Sequence, residues 1–148
     1  MPFRYPLENL LHFRRSLEHQ QELRLRIANQ QVTRMRRLIE HIEQQIGSLQ
    51  TRQSRELNAG TTVAELQFNR TCEGVLAQQR LLAERELQRL EQVRDQQNKV
   101  FQQARRERET FESLREQQRS EYQRNARRRE QRQLDELFLL RKTHLRRS

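Results

Sequence analysis

The sequence has little of the material that builds a globular core. Hydrophobic residues make up 32% of its 148 residues and charged residues 34%, so the chain cannot fill a large compact interior. It has only three glycines and two prolines, and both prolines lie within the first six residues. Two classes remain, a protein of long helices and a disordered chain, and the periodicity of the apolar residues distinguishes between them.

Several kinds of functional site are also missing. Cys72 is the only cysteine, which excludes an intramolecular disulfide and favours a cytosolic protein. The glycines are too far apart for a phosphate-binding loop, and the histidines lack the i, i+4 spacing of a metal site. The first residues lack the apolar core of a signal peptide, and no apolar run reaches the roughly 20 residues of a membrane span. We therefore expect an intracellular protein with no cofactor and no metal.

Catalytic residues are not expected either. Carboxylate pairs such as Glu107 and Glu109 are present. A protein of long, exposed helices, however, offers no pocket that excludes water and tunes the pKa values of these carboxylates. We predict that the protein is not an enzyme and has no small-molecule substrate.

Two apolar seams indicate coiled-coil helices. In the first seam, apolar residues recur in alternating steps of three and four, which keeps them on one helix face. Its members are Leu25, Ala28, Val32, Met35, Ile39, Ile42, Ile46 and Leu49. The second seam is weaker, because residues such as Arg94 and Arg108 interrupt it. Its members are Leu76, Ala83, Leu87, Leu90, Phe101, Ala104 and Phe111.

The segment between the seams has the features of a tight turn. Asn58 and Gly60 can adopt the left-handed conformation that ends a helix. Glu65 lies three residues after Thr62, as in a capping box that begins a new helix. The chain is therefore expected to fold back on itself here.

Folding at this turn predicts an all-α, antiparallel two-helix coiled-coil hairpin that forms a single domain over residues 1–148. Val32 would then lie opposite Leu87. Gly47 and Gly74 would lie at a similar height, either where the helices approach closely or on their outer faces. The predicted bounds are about 6–57 for helix 1, 58–62 for the turn and about 62–143 for helix 2.

The second predicted helix is longer than the first and overhangs it from about residue 114. The overhang would extend for about 50 Å at 1.5 Å per residue. Residues 124–148 hold nine basic and three acidic residues, a net charge of +6 out of +10 for the chain. They also carry the densest apolar cluster. A helix with such a stripe and no partner lacks the packing that stabilises most helices, so it should dock into another molecule.

Two stretches and the overall layout resemble the FliJ family. The N-terminal FRYPLENLLHFRR is similar to that family's opening F-x-[FY]-x-L-x-x-L-L pattern, and REQRQLDEL, from Arg129 to Leu137, is similar to its C-terminal block. The hairpin with a long second helix is the third point of similarity. Arg132 stands where the family often has Lys, and Phe138 where a small residue is common, which leaves the subfamily open.

FliJ proteins are coiled-coil components of the bacterial flagellar type III export apparatus, and the resemblance implies their role. They look like the central stalk of rotary ATPases, with terminal ends that insert into the hexameric export ATPase and promote ring assembly and activity. By this resemblance the ring contacts in this chain would be Phe3, Tyr5, Leu7, Arg127, Arg128, Arg129, Arg132, Leu134, Asp135, Glu136, Leu137 and Phe138.

The resemblance also implies contact with a membrane export-gate protein through the start of the second helix. Phe68, Cys72, Val75 and Gln79 follow i, i+4, i+7 and i+11, so they share a face. Alternatively, Phe68 and Cys72 close the hairpin core near the turn. Chaperones of late export substrates are the third implied partner. The implied location is the cytoplasm, at the cytoplasmic face of the cell membrane.

Three other functions fit the sequence. A stalk protein of a virulence injectisome would have a similar coiled coil. A nucleic-acid-binding basic coiled coil would explain the computed pI of about 11.2. We do not expect nucleic-acid binding, because no aromatic residues interleave the arginines for base stacking. A structural homodimer without an ATPase partner is the third alternative.

Overall fold

The computed structural model describes residues 2–147, which form two helices and no strand. Helix α1 spans Glu8–Ala59 and helix α2 spans Val63–Arg147. The two helices pack against each other as an all-α hairpin, which confirms the predicted fold class.

Helix α1 begins at Glu8, two residues later than predicted. Pro6 disfavours the helical conformation at the preceding residue, Tyr5. The chain instead makes a turn in which the Glu8 amide donates a hydrogen bond of 3.1 Å to the Tyr5 carbonyl. Helix α2 continues past residue 143 to Arg147, because no proline or glycine interrupts its C-terminal part.

The turn between the helices is shorter than predicted and lies at residues 60–62. Gly60 has φ of +87°, a left-handed conformation that ends α1. The Glu65 amide donates to the Thr62 hydroxyl at 3.2 Å, and the Thr62 amide donates to the Glu65 carboxylate at 3.4 Å. This reciprocal capping box satisfies amide groups at the start of α2.

The chain divides into two compact units. One of them comprises Gln20–Gln102 and contains the turn, so we call it the turn unit. Its core is a cluster of Ile39, Ile42 and Ala83, against which Met35, Ile46 and Leu87 pack. These residues come from both predicted seams, so within this unit the seams bury each other.

The register within the turn unit differs from the prediction by about one helical turn. Arg36 pairs with Glu91 at 3.1 Å and Arg80 pairs with Glu43 at 3.2 Å, so the residue opposite Val32 lies beyond Leu87. Part of this displacement comes from the turn, because its centre at Thr61 lies one residue after the middle of the predicted turn. The residues of α2 in this unit are thereby displaced relative to those of α1.

One polar side chain is buried in the turn unit. Asn69 is 4% exposed, and its Nδ2 donates a hydrogen bond of 3.0 Å to the Glu56 carboxylate. Gly47 and Gly74 lie on outer faces, since a Cβ added at either would meet nothing within 4 Å. They therefore do not mark a close approach of the helices.

The second unit, the terminal unit, comprises the chain up to His19 and from Gln103 onwards. Leu11 is fully buried here and Tyr5 is 7% exposed. The Tyr5 hydroxyl donates a hydrogen bond of 3.1 Å to the Phe111 carbonyl, and the Phe3 ring lies 5.6 Å from the Tyr122 ring. The residues before α1 therefore lie along α2.

This N-terminal segment shortens the predicted overhang. The prediction placed the start of the overhang at about residue 114, but Arg115 pairs with Glu8 at 3.0 Å and Tyr122 packs against Phe3. The predicted overhang was based on the lengths of the two helices. It did not include the six or seven residues before α1, which extend the pairing. In the described part of the chain, every residue from Arg127 to Arg147 is exposed.

Candidate functional site

The C-terminal tail, residues 127–147, combines helical structure with full exposure. It belongs to α2 and contains six large hydrophobic side chains that are 60 to 69% exposed. These are Leu134, Leu137, Phe138, Leu139, Leu140 and Leu145. Single exposed leucines are normal on a protein surface, whereas clusters of this size are typical of interaction sites.

The apolar residues of the tail project in several directions. Each residue advances an α-helix by about 100°. Leu134, Leu137 and Phe138 therefore share one side, whereas Leu139 and Leu140 project from two other sides. A helix that is apolar on several sides needs a partner that surrounds it rather than a flat surface.

Charge in the tail is mostly positive and close to the apolar cluster. Arg127, Arg128, Arg129 and Arg132 occupy the turns before Leu134, and arginine is charged at any physiological pH. Asp135 and Glu136 follow, and the Gln131 side-chain amide donates to the Asp135 carboxylate at 3.1 Å. The tail thus presents arginines and leucines within the same few turns of helix.

The predicted N-terminal contact residues are engaged within the terminal unit. Tyr5 is buried, and its side chain anchors the N-terminal segment against α2. Phe3 and Leu7 are half-buried. The burial of Tyr5 depends on the position of α2, and the N-terminal sequence pattern carries no information about that position.

The predicted gate residues lie on α2 in the turn unit. Phe68 is 64% and Val75 52% exposed, Gln79 is exposed and Cys72 is half-buried. Cys72 and Val75 line a groove between α1 and α2, the turn-unit groove. Its lining residues from α1 include His41, Gln45, Ser48, Leu49 and Arg52.

A cluster of ion pairs in the terminal unit was not predicted. Arg108 pairs with Glu18 across the helices and with Glu112 on its own helix, and Arg15 also pairs with Glu112 at 2.9 Å. Hydrogen bonds from Arg108 and then Arg15 lower the pKa of the Glu112 carboxyl, whereas those with Glu18 and Glu112 raise the pKa of Arg108. In the sequence pattern, Arg108 is only an interruption of the apolar seam. The sequence did contain one signal for this cluster, because Arg108 and Glu112 have the i, i+4 spacing at which side chains pair on a helix.

Comparison with known families identifies the group to which this chain belongs. The family model described as flagellar FliJ protein matches residues 3–147, essentially the whole chain. The chain belongs to the FliJ family. No curated protein and no solved structure matches the chain.

Membership establishes the general setting of the protein. It is a flagellar export-related coiled-coil protein that associates with the flagellar export apparatus, and FliJ proteins are in general non-enzymatic components of that apparatus. Among the described residues, neither helix has a stretch long and apolar enough to cross a membrane. Residues 2–147 also contain no group of three or more His, Cys, Asp and Glu side chains arranged to hold a metal ion.

Proposed function

We propose that this FliJ-family chain is the central stalk of the flagellar export ATPase, and that its C-terminal tail enters the hexameric ring. The observation that carries this proposal is the exposed tail, with leucines on several sides of one helix. A ring pore encloses a helix from all sides, so it can cover Leu137, Leu139 and Leu140 together. In this role the chain promotes assembly of the ring and its ATPase activity.

The arginines of the tail make an acidic pore the complementary partner. Arg127, Arg128 and Arg129 are exposed and adjacent. They attract carboxylates on the pore loops, and screening by salt weakens that attraction. Asp135 and Glu136 lie within the apolar cluster and orient the helix against basic groups of the ring. Phe3 and Leu7 border the ring through their exposed parts.

The ring contact is tested by removing apolar area from the tail. Leu137→Ala with Phe138→Ala removes side chains that are 62% and 67% exposed in the isolated chain. Burial of such a side chain contributes about 1.5–3 kcal/mol, so affinity for the ATPase and stimulation of its activity should fall strongly. The matched control is Leu23→Ala with Ile27→Ala, which removes exposed apolar residues from α1.

Charge is tested separately. Arg127, Arg128 and Arg129 changed together to Glu should abolish binding, whereas the same change at the exposed Arg24, Arg34 and Arg37 should not. Circular dichroism checks that all variants keep their helix content. Normal binding and stimulation by both tail variants would contradict the stalk assignment.

We further propose that Phe68, Cys72, Val75 and Gln79 contact the membrane export-gate protein. The support is the exposure of Phe68, Val75 and Gln79 and the groove that Cys72 and Val75 line. This contact holds the chain at the cytoplasmic face of the membrane. Phe68→Ala should weaken binding to the isolated cytoplasmic part of the gate, and Leu57→Ala, also exposed near the turn, is its control.

Chaperones of late export substrates are the third partner in this proposal. The support is family membership, and no surface is assigned to them. Binding of purified chaperones to the tail and gate variants would locate their surface by the variant that fails to bind.

A further inference from the structure

Helix α2 carries a second apolar stripe in the turn unit, separate from its core face. The stripe residues recur in steps of 7, 7, 11 and 7, and each step is close to a whole number of helical turns. They are 38 to 64% exposed, whereas Ala83 and Leu90 on the core face are buried. The stripe residues are Phe68, Val75, Leu82, Val93 and Val100.

The positions of the stripe residues are nearly symmetric about Glu84. Phe68 and Val100 each lie 16 residues from Glu84, and Val75 and Val93 each lie nine residues from it. When a second copy of the stripe is placed antiparallel to the first, with both centred on Glu84, four of the five apolar positions lie opposite another apolar position. A two-fold symmetric contact requires this kind of self-complementary surface.

The charge around the stripe also matches a second copy better than a charged partner. Residues 63–102 contain six basic and six acidic residues, so this part of α2 is neutral although the chain is strongly basic. In the gap between Leu82 and Val93, Arg89 donates a hydrogen bond of 3.0 Å to Glu86. Two copies can therefore meet here without net repulsion.

We propose that two copies of this chain associate through the stripe as an antiparallel, two-fold symmetric dimer centred near Glu84. Val75 of one copy then packs against Val93 of the other, and Phe68 packs against Val100. The stripe is about 50 Å long and a helix about 10–12 Å wide, which gives roughly 500–600 Å² per copy. Stable interfaces bury about 800 Å² per partner, so the dimer is weak and its population depends on concentration.

The dimer has a consequence for the gate contact. It covers Phe68 and Val75, so a chain within the dimer cannot use these residues to bind the gate. This competition between the dimer and the gate rests on the proposed function, whereas the dimer itself does not. The tests use the isolated chain without gate or ATPase, so failure of the dimer and failure of the stalk assignment are distinguishable.

The first test is sedimentation velocity of the full chain over a wide concentration range. The parent should shift reversibly from monomer to dimer as concentration rises. Leu82→Glu should weaken the dimer by about tenfold or more, because it places a carboxylate in the seam opposite Glu86 of the second copy. Ile27→Glu, at a 55% exposed position of α1, is the matched control and should dimerise like the parent. A parent that stays monomeric throughout, or an unaffected Leu82→Glu variant, would overturn the proposal.

The second test fixes the direction of the helices by disulfide formation in a Cys72→Ser background. A mixture of Val75→Cys and Val93→Cys chains should form a disulfide-linked heterodimer, because the two positions meet in the antiparallel arrangement. Either variant alone should not form a linked dimer, because identical positions would then lie about 27 Å apart, and a disulfide needs Cα atoms within about 7 Å. Efficient linkage of single variants would indicate a parallel dimer and overturn the proposed geometry. Failure of the mixture to form linked chains at concentrations where the parent is dimeric would also overturn it.

Discussion

Arg108 of α2 and Glu18 of α1 are joined by two hydrogen bonds across the terminal unit. Both side chains are about four-fifths buried, and the bond from Nη2 of Arg108 to Oε1 of Glu18 is 3.2 Å long. A seam position that should be apolar is thus occupied by a cation that donates hydrogen bonds to two carboxylates, Glu18 and Glu112. The terminal unit is held by polar contacts as well as by Leu11.

Removing one of those partners should destabilise the protein. Glu18→Gln leaves the largely buried guanidinium of Arg108 without its carboxylate partner across the helices, and we expect a loss of about 1–3 kcal/mol. Urea unfolding followed by circular dichroism measures it. Glu22→Gln is the control, because Glu22 pairs with Arg26 on an exposed surface and such pairs contribute only about 0.3–0.5 kcal/mol. Equal losses in the two variants would show that the Arg108 cluster contributes no more than a surface pair.

Stability should fall in acid partly through Glu112. Its pKa is lower in the folded state than the ordinary value of 4.5, chiefly through the hydrogen bond from Arg108. The stabilisation is therefore fully present above about pH 4.5 and is lost as the pH falls through the lower, folded-state pKa. The slope of unfolding free energy against pH below 4.5 should be smaller in Glu112→Gln than in the parent. Gln117→Ala, at an exposed position without a titratable group, should retain the parent's slope.

Two glycine substitutions should have opposite effects on stability. Gly60→Ala places a side chain at φ of +87°, which we expect to cost about 1–2 kcal/mol. Gly47→Ala adds a methyl group within α1 that meets nothing within 4 Å, and we expect a gain of about 0.5–1 kcal/mol. Thermal unfolding of both variants measures the difference. A neutral Gly60→Ala would mean that the turn adopts another conformation.

The buried hydroxyl of Tyr5 should contribute measurably to stability. Tyr5→Phe keeps the ring but leaves the Phe111 carbonyl without this donor, and we expect a loss of about 1 kcal/mol in urea unfolding. Tyr122→Phe, which keeps the half-buried ring against Phe3, should change stability by less. The reverse order would show that the N-terminal segment is not anchored through Tyr5.

The sequence contained enough information for the hairpin because its signals are local. The heptad from Leu25 to Leu49 and the pairing of Thr62 with Glu65 each depend on residues a few positions apart. The exact register was not predictable in the same way. It depends on where the turn is centred, and a displacement of one or two residues at Gly60 moves every cross-helix neighbour.

The polar contacts of the terminal unit were not predictable for a related reason. Arg108 and Glu18 are 90 residues apart, so their pairing follows only once the register is known. The burial of Tyr5 likewise depends on α2 and not on the N-terminal pattern. The tail was predicted more fully, because an exposed helix is described by its own sequence and needs no knowledge of neighbours.

The buried amide of Asn69 limits how the two helices can be aligned. If α2 slid along α1 by one heptad, the leucines and isoleucines of the seam would still meet apolar neighbours. Asn69 would then lose Glu56, and its amide would be left in an apolar environment without a hydrogen bond. A single polar residue in a coiled-coil seam selects one alignment in this way, at some expense of stability. In this chain Asn69 makes one register more favourable than the slipped registers that the repeating seam would otherwise allow.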